Sequence, residues 1–207
     1  MDNLNNKKNY IFISPHLDDA ILSAGALIYE LKNKGRVKII TVFTKGDDFF
    51  LRRKKEDKNA CHYLEINYLH LDFTDVLWRN SSNLIEEKNL EKIIINRLKK
   101  SIKNNKDTII FAPLSIGNHT DHRIINKICR DNYTNVIYWE DYPYNLKYKL
   151  SEVFIKKNNL SYFEYKKNLY IKEKLIKFYK SQIPNLFGDK PIIIKKERYY
   201  FIPLKIH

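Results

Sequence analysis

Two patterns of apolar residues alternate along the chain. Short runs rich in β-branched and aromatic residues predict buried strands, and the longer stretches between them carry apolar residues at helical spacing. The predicted strands span residues 10–14, 36–43, 68–73, 107–112 and 135–139. The predicted helices span residues 19–34, 51–64, 83–104, 121–130 and 165–182. Such alternation is typical of a parallel sheet covered by helices.

The end of the chain departs from this alternation. Residues 191–194 and 198–202 predict a terminal hairpin, although the turn between them lacks the Gly or Asn that short hairpins favour. No repeat or low-complexity linker divides residues 1–207. We therefore expect one α/β domain, a Rossmann-like three-layer sandwich with a mostly parallel sheet, helices on both faces and a C-terminal hairpin.

The composition agrees with a folded domain. Of the 207 residues, 43% are hydrophobic and 14% aromatic, which is enough for a core and excludes a wholly disordered chain. The two cysteines, Cys61 and Cys129, form no CxxC pair, so a disulfide scaffold is excluded and both are expected to be buried thiols. The N-terminus is polar and no apolar run is long enough to span a membrane, so we expect a cytoplasmic protein.

The chain is strongly basic. Its 38 Lys and Arg residues exceed its 24 Asp and Glu residues and give a formal net charge of +14, which raises a polyanion-binding protein as one hypothesis. No zinc finger or other nucleic-acid-binding signature is present, and the lysines are scattered over predicted helices and loops. We therefore expect no specific nucleic-acid partner, and only that the charge favours an anionic small-molecule or glycan substrate.

The first candidate site lies where the first strand ends and the first helix begins. His16 and Asp19 stand three positions apart at this helix entrance and can converge on one metal ion. Asp18, between them, is then free to act as a base. The alternative is that Asp18 or Asp19 only caps the helix and complements its dipole.

A second cluster follows the fourth strand and again opens a helix. It contains His119, Asp121 and His122, two imidazoles and a carboxylate that are hard to explain as helix caps. Both clusters should lie at the same edge of a parallel sheet, where ligands bind. Catalytic zinc takes three protein ligands and a water molecule, and His16, Asp19 and one of the later histidines supply such a set.

These two motifs resemble those of the PIG-L/LmbE-like family of metal-dependent N-deacetylases. The motifs are PHLDD at residues 15–19 and NHTDH at residues 118–122, and the resemblance covers most of the chain. Weaker similarities are the segment TKGD at residues 44–47, Arg53 and Glu56 with Ala60 in the next helix, and YKSQ at residues 179–182.

The resemblance implies an activity and a role for each motif residue. It implies that His16, Asp19 and His122 hold Zn²⁺, or Fe²⁺ or another divalent metal, that Asp18 is the general base, and that Asp121 orients a histidine. It also implies that His119, in its protonated form, stabilises the oxyanion. The implied reaction removes the acetyl group from an N-acetylhexosamine-containing glycan, glycoside or sugar conjugate.

The chain departs from the common family pattern at four positions outside the implied metal ligands. Leu17 and Thr120 replace the usual Pro, Ala20 replaces the usual Glu, and Ala26 stands where a second Gly is common. The chemistry is therefore expected to survive, and the substrate subgroup stays open. The alternatives are an amidohydrolase acting on a non-sugar N-acyl metabolite and a catalytically idle binding module.

Substrate contacts are predicted only from position at the strand ends. The candidates after the second and third strands are Asp47, Arg53, Trp78 and Arg79, and those after the fifth strand are Glu140, Asp141 and Tyr142. The alternative for each is a solvated loop residue or an aromatic side chain packed against a helix.

Overall fold

The computed structural model describes residues 8–79, 84–103 and 105–203. Seven strands form one sheet in the order β3-β2-β1-β4-β5-β7-β6. The strands are β1 Lys8–Ser14, β2 Gly35–Lys45, β3 Asn67–Thr74, β4 Thr108–Pro113, β5 Val136–Trp139, β6 Ser161–Tyr165 and β7 Glu197–Phe201. The α-helices in the described residues are α1 Asp19–Leu31, α2 Phe49–Leu64, α3 Leu84–Ser101, α4 Thr120–Asn132, α5 Glu152–Lys157, α6 Leu169–Ile176 and α7 Ile183–Phe187.

Strands β1 to β5 are parallel. The inner strands β1, β2, β4 and β5 are largely buried on both faces, which is why they read as nearly continuous apolar runs, whereas the edge strand β3 is only partly buried. Phe12 contributes to one core, and its neighbours Ile11 and Ile13 contribute to the other, because successive strand residues face opposite sides. Helices α1, α2 and α6 cover the first face, and α3 and α4 cover the second. The predicted three-layer α/β sandwich is confirmed.

The strand order reverses between β1 and β4, which are hydrogen-bonded neighbours. The helix that follows β1 covers one face and the helix that follows β4 covers the other. Such a reversal leaves a crevice at the carboxyl ends of the two strands, the usual ligand site in open α/β sheets. Both motif-bearing loops therefore reach this crevice.

A buried ion pair fixes the middle of α1. The two carboxylate oxygens of Glu197 accept from the backbone N–H groups of Ala26 and Leu27 at 2.9 and 3.0 Å. Lys172 Nζ lies 3.3 Å from Glu197 Oε1 and donates to the carbonyl of Ser23 at 3.2 Å. Because α1 carries Asp19 at its first position, this pair anchors the helix that presents the site.

Two predictions for the C-terminal part were wrong. Residues 165–182 do not form one helix, because β6 occupies Ser161–Tyr165 and α6 begins only at Leu169, after a left-handed Asn168 with φ of 56°. Residues 191–194 form no strand, and β7 instead pairs antiparallel with β6 and with β5. The aromatic side chains of β6 and β7 pack together, as the stacked rings of Phe163 and Tyr199 do at 5.0 Å.

The remaining expectations for the scaffold have mixed outcomes. Cys61 and Cys129 are free and buried, as predicted. The predicted ends of the third helix, Asn83 and Asn104, lie outside the described residues. Within residues 8–79, 84–103 and 105–203, no helix combines the length and apolarity that crossing a membrane requires.

Candidate active site

The loop between β1 and α1 is shaped by Ser14. Its hydroxyl donates to the carbonyl of His16 at 2.7 Å and accepts from the N–H of Ala20 at 3.1 Å. Asp18 occupies the N-cap position, but its side chain makes no capping hydrogen bond, and Asp19 Oδ2 accepts from the backbone N–H of His16 at 2.8 Å. The capping alternative therefore does not explain either carboxylate.

Two imidazoles converge on the Asp19 carboxylate. Asp19 Oδ2 lies 3.0 Å from His16 Nδ1 and 3.2 Å from His122 Nε2. All three side chains are buried. The structure thus brings together the three residues for which the sequence predicts metal binding, from two loops that are more than a hundred residues apart.

A buried carboxylate holds the outer nitrogen of each imidazole. Asp121 Oδ2 lies 3.1 Å from His16 Nε2, and Asp141 Oδ1 lies 2.7 Å from His122 Nδ1. Such carboxylates fix the tautomer of a metal-binding histidine and direct its other nitrogen towards the metal. Here the other nitrogens are the two that face Asp19.

The two orienting carboxylates are themselves held in place. Arg79 forms an ion pair with Asp121 Oδ1, and the N–H of Val76 donates to Asp121 Oδ2 at 3.1 Å. The N–H of Ile116 donates to Asp141 Oδ2 at 2.8 Å. Asp121 therefore has the orienting contact that the resemblance implies. Asp141 was predicted to contact substrate, but it is only 1% exposed and does not face solvent or substrate space.

The donor set fits a divalent metal. Buried His122 Nε2 has no hydrogen-bond partner among the described residues, because its contact with Asp19 lacks hydrogen-bond geometry. Among the described residues, two groups have ligand atoms that all lie within 4.8 Å of one another. The first is His16, His119 and His122, which contains two of the three predicted ligands, and the second is His16, Asp75 and Asp121. The second group is the poorer one, because Asp121 is already committed to Arg79 and Val76.

The electrostatics of the metal-free cluster follow from these contacts. Burial lowers the pKa of His16, but the hydrogen bonds with Asp121 and Asp19 outweigh it and raise the pKa to about 9. Burial also opposes the protonated form of His122, yet Asp19 and Asp141 raise its pKa well above the usual value. Asp19 shifts the other way, because the two imidazoles outweigh its burial and lower its pKa.

Asp18 lies beside this cluster. It is buried, and its Oδ1 is 3.4 Å from Nη2 of Arg53, which is too long for a strong ion pair. Burial raises the pKa of Asp18, and Arg53 opposes the rise. A carboxylate with a raised pKa and a loose cationic partner suits a group that takes up and returns a proton.

His119 stands at the edge of the cluster. Its ring lies edge-on to that of His16, with centroids 4.9 Å apart, and its buried Nδ1 has no partner among the described residues. Burial, together with the neighbouring His16 and His122, lowers its pKa. This shift favours the neutral form of His119 in the metal-free cluster, whereas the sequence analysis expects the protonated form.

The predicted substrate residues divide into two groups. Arg53 contacts Asp18, and Trp78 is 51% exposed at the rim, so both lie where a substrate could reach them. Arg79 is not available to a substrate, because its guanidinium is held by Asp121 and by the carbonyl of Thr74 at 2.8 Å.

Two more candidates, Asp47 and Tyr142, are engaged in local structure. Asp47 is exposed and accepts from the N–H of Phe49 at 3.1 Å, at the start of α2. Tyr142 is 2% exposed, and its hydroxyl donates to the carbonyl of Ile193 at 2.9 Å, so it is a core residue in this structure.

Three residues have contacts at this site that the sequence reasoning did not assign. They are Asp141, Tyr144 and Asp75, whose Oδ2 lies 3.4 Å from His16 Nε2. Asp141 holds His122, although the sequence reasoning places it among substrate contacts. Tyr144 packs its ring against His122, with centroids 5.7 Å apart, and against Gly117, whose φ is +89°. A hypothetical Cβ on Gly117 would lie 2.7 Å from the Tyr144 ring. The only sequence signal for Asp141 and Tyr144 was their position directly after β5.

The weaker family-like positions serve the scaffold. Glu56 accepts from the N–H of Ser181 at 3.0 Å and from its hydroxyl at 2.5 Å. Asp57 accepts from the Tyr179 hydroxyl at 2.8 Å and lies 2.7 Å from His70 Nε2. These bonds tie α2, which carries Arg53, to the segment before α7.

The fold and the site together define a doubly wound α/β protein with a buried imidazole–carboxylate cluster at the carboxyl end of its sheet. Residues 11–133 match the family model described as PIG-L, GlcNAc-PI de-N-acetylase. Since the match spans more than half of the chain, the protein belongs to the PIG-L family, as its motifs predicted.

Individual relatives are distant. A 2′-N-acetylparomamine deacetylase from Niallia circulans is 24% identical over 238 aligned residues, which cover 89% of this chain and 84% of that protein. The zinc-inhibited form of the teicoplanin deacetylase Orf2 superposes with a TM-score of 0.77 at 21% identity, covering 93% of this chain and 97% of that one. For N,N′-diacetylchitobiose deacetylase from Pyrococcus horikoshii the TM-score is 0.55 at 18% identity, with coverages of 89% and 75%.

Proposed function

We propose that the protein is a metal-dependent N-deacetylase that hydrolyses the acetamide of an N-acetylated amino sugar in a glycan, glycoside or sugar conjugate. The observation that carries the proposal is the convergence of His16 and His122 on Asp19, with Asp18 beside them. The family assignment supports the reaction. The names of the paromamine and chitobiose deacetylases support the substrate class, since both denote N-acetylated amino sugars.

His16, Asp19 and His122 would hold a divalent metal, Zn²⁺ or Fe²⁺. Such a metal, when bound, supplies Lewis acidity that polarises a carbonyl and lowers the pKa of water to about 7. Asp121 and Asp141 keep the two imidazoles in the tautomers that leave His16 Nδ1 and His122 Nε2 free for it.

The protein supplies the proton transfers. Asp18 accepts the proton of the attacking water, and its raised pKa lets it return that proton to the leaving amine. Arg53 limits this rise and so favours the ionised form of Asp18, which is the form that accepts a proton. Neutral His119 donates an N–H to the developing oxyanion, a contact whose loss typically costs 10²–10³-fold in rate.

The test measures acetate release and bound metal in parallel on protein reconstituted with Zn²⁺ or Fe²⁺. Asp18→Asn should keep the metal and lose about 10²–10⁴-fold in kcat, whereas His16→Ala should lose both. Asp131→Asn, an exposed carboxylate of α4, is the control and should change neither. Full activity of the metal-free protein would contradict the proposal.

A panel of candidate substrates distinguishes the proposed sugar N-deacetylase from an amidohydrolase that acts on non-sugar metabolites. It contains N-acetylhexosamine glycosides, nucleotide-linked N-acetyl sugars and simple N-acyl amines. Turnover of the sugars supports the proposal. Turnover of the acyl amines alone would replace it by an amidohydrolase that acts on a non-sugar metabolite.

A further inference from the structure

A cation-lined cavity of about 360 Å³ lies on the same rim of the sheet as the metal-site candidates. It sits after β5 and before β7, and these strands are antiparallel, with Glu140 N donating to the carbonyl of Arg198 at 2.9 Å. Glu140, Tyr148 and four cationic side chains line it, the latter being Lys149, Lys195, Lys196 and Arg198.

The segment after β5 borders both the site and the cavity. Asp141 and Tyr144 contact His122, whereas Glu140 and Tyr148 line the cavity. Neighbouring residues of one short segment thus face two adjacent spaces. The site and the cavity therefore border the same segment.

A second cavity adjoins the first. It has a volume of about 300 Å³ and shares Tyr148, Lys149 and Leu150 with the first. It extends to Gly117, two residues before His119, along the apolar side chain of Leu114. The two cavities are therefore neighbours, and the second lies beside the β4–α4 loop.

The charges in the cavity are unevenly matched. The Glu140 carboxylate accepts from Asn145 at 2.9 Å and lies 3.4 Å from Arg198. Lys196 lies 2.7 Å from Glu164, a residue that also pairs with Arg198. Lys149 and Lys195 have no carboxylate within 4.0 Å in the described part of the chain, so their two ammonium groups are available to a ligand.

We propose that this cavity binds a phosphoryl group carried by the substrate, which rests on the deacetylase function proposed above. A phosphoryl group offers two charges and several acceptor oxygens, and lysine binds phosphate as a mobile point charge. The sugar acetamide lies at the metal-site residues, and the phosphoryl group lies beyond it at Lys149 and Lys195. The cavity therefore selects a phosphorylated or phosphate-linked N-acetyl sugar over its neutral counterpart.

The experiment compares Lys149→Gln/Lys195→Gln with Lys99→Gln/Lys100→Gln, which removes the same charge from the last turn of α3 at the opposite end of the sheet. Calorimetry measures binding of inorganic phosphate and of N-acetylglucosamine 1-phosphate to the full chain. Acetate release measures kcat/KM for N-acetylglucosamine 1-phosphate and for a neutral N-acetylglucosaminide.

The cavity variant should bind both phosphates about 10- to 100-fold more weakly, since each lost contact is a hydrogen bond from a charged donor. Its kcat/KM should fall for the phosphorylated sugar and not for the neutral one, and the control should match the wild type. If the Lys149→Gln/Lys195→Gln variant binds phosphate as tightly as the wild type, the cavity assignment is wrong, even if the protein cleaves acetamides. Binding that depends on them without any acetamide cleavage would instead refute the deacetylase function and leave the anion site standing.

Discussion

Asp141→Asn tests how the candidate metal site is built, because this substitution keeps the side-chain volume and changes its hydrogen bonding and its charge. In the wild type, one Asp141 oxygen faces His122 Nδ1 at 2.7 Å and the other accepts from the N–H of Ile116 at 2.8 Å. The asparagine side chain offers one acceptor and one donor, but its two partners, the His122 imidazole N–H and the Ile116 backbone N–H, are both donors. One of the two contacts must therefore fail.

Either orientation of the asparagine is costly. If its oxygen faces His122, its amide group confronts the N–H of Ile116 and leaves a buried donor unsatisfied. If its oxygen faces Ile116, its amide donates to His122 Nδ1, which drives the imidazole proton to Nε2, the atom next to Asp19. An unsatisfied buried polar group costs about 1–3 kcal/mol, and lost orienting partners typically weaken metal binding 10–100-fold.

The assay is competition for Zn²⁺ between the metal-free protein and a chromogenic chelator. We expect the dissociation constant of Asp141→Asn to rise about 10–100-fold, and that of Asp131→Asn to stay within twofold of the wild type. Circular dichroism and urea unfolding establish that both variants fold. A folded Asp141→Asn protein with wild-type zinc affinity would refute the orienting role of this carboxylate.

Two further predictions concern the loop at the site and the C-terminal sheet. Gly117→Ala should reduce activity more than Gly188→Ala, because both positions have positive φ but only at Gly117 does the added Cβ meet a neighbour, the Tyr144 ring; equal acetate release by the two variants would contradict this. The hydrogen bond with Lys196 is the largest cause that lowers the pKa of Glu164, to about 2, so its stabilising contribution is complete above the ordinary pKa of 4.5 and is lost as the pH falls towards 2. The Tm of Glu164→Gln should accordingly be lower than that of the wild type at pH 5, and the difference should shrink as the pH falls. A difference in Tm that does not change with pH would contradict this prediction.

The sequence predicts those parts of the site whose residues are neighbours in the chain. His16 and Asp19 lie within one turn, and His119 and His122 within another, each directly after a strand recognisable from its apolar run. Parallel neighbours bring their carboxyl ends together, so the meeting of the two turns follows from β1 and β4 alone.

What the sequence could not predict depends on pairings between distant or isolated residues. Nothing local distinguishes Asp141, which orients His122, from Glu140, which lines the neighbouring cavity. The same holds for β6 and β7, whose register joins Tyr162 to Tyr200 across a connection that contains two helices. Apolar residues at helical spacing predicted one helix over residues 165–182, whereas Tyr165 pairs with β7 as the last residue of β6.

The charge balance of the site explains why so many acids surround two imidazoles. Five aspartates around the cluster are buried, and two guanidinium groups, those of Arg53 and Arg79, face them. In the metal-free protein the raised pKa values of His16 and His122 add two positive charges. A divalent metal that displaces those two protons leaves the total charge unchanged, and buried charges are tolerated only when they are balanced in this way. If His16, Asp19 and His122 are the ligands, as proposed above, the site would exchange two imidazole protons for one divalent cation without adding net charge to the buried cluster.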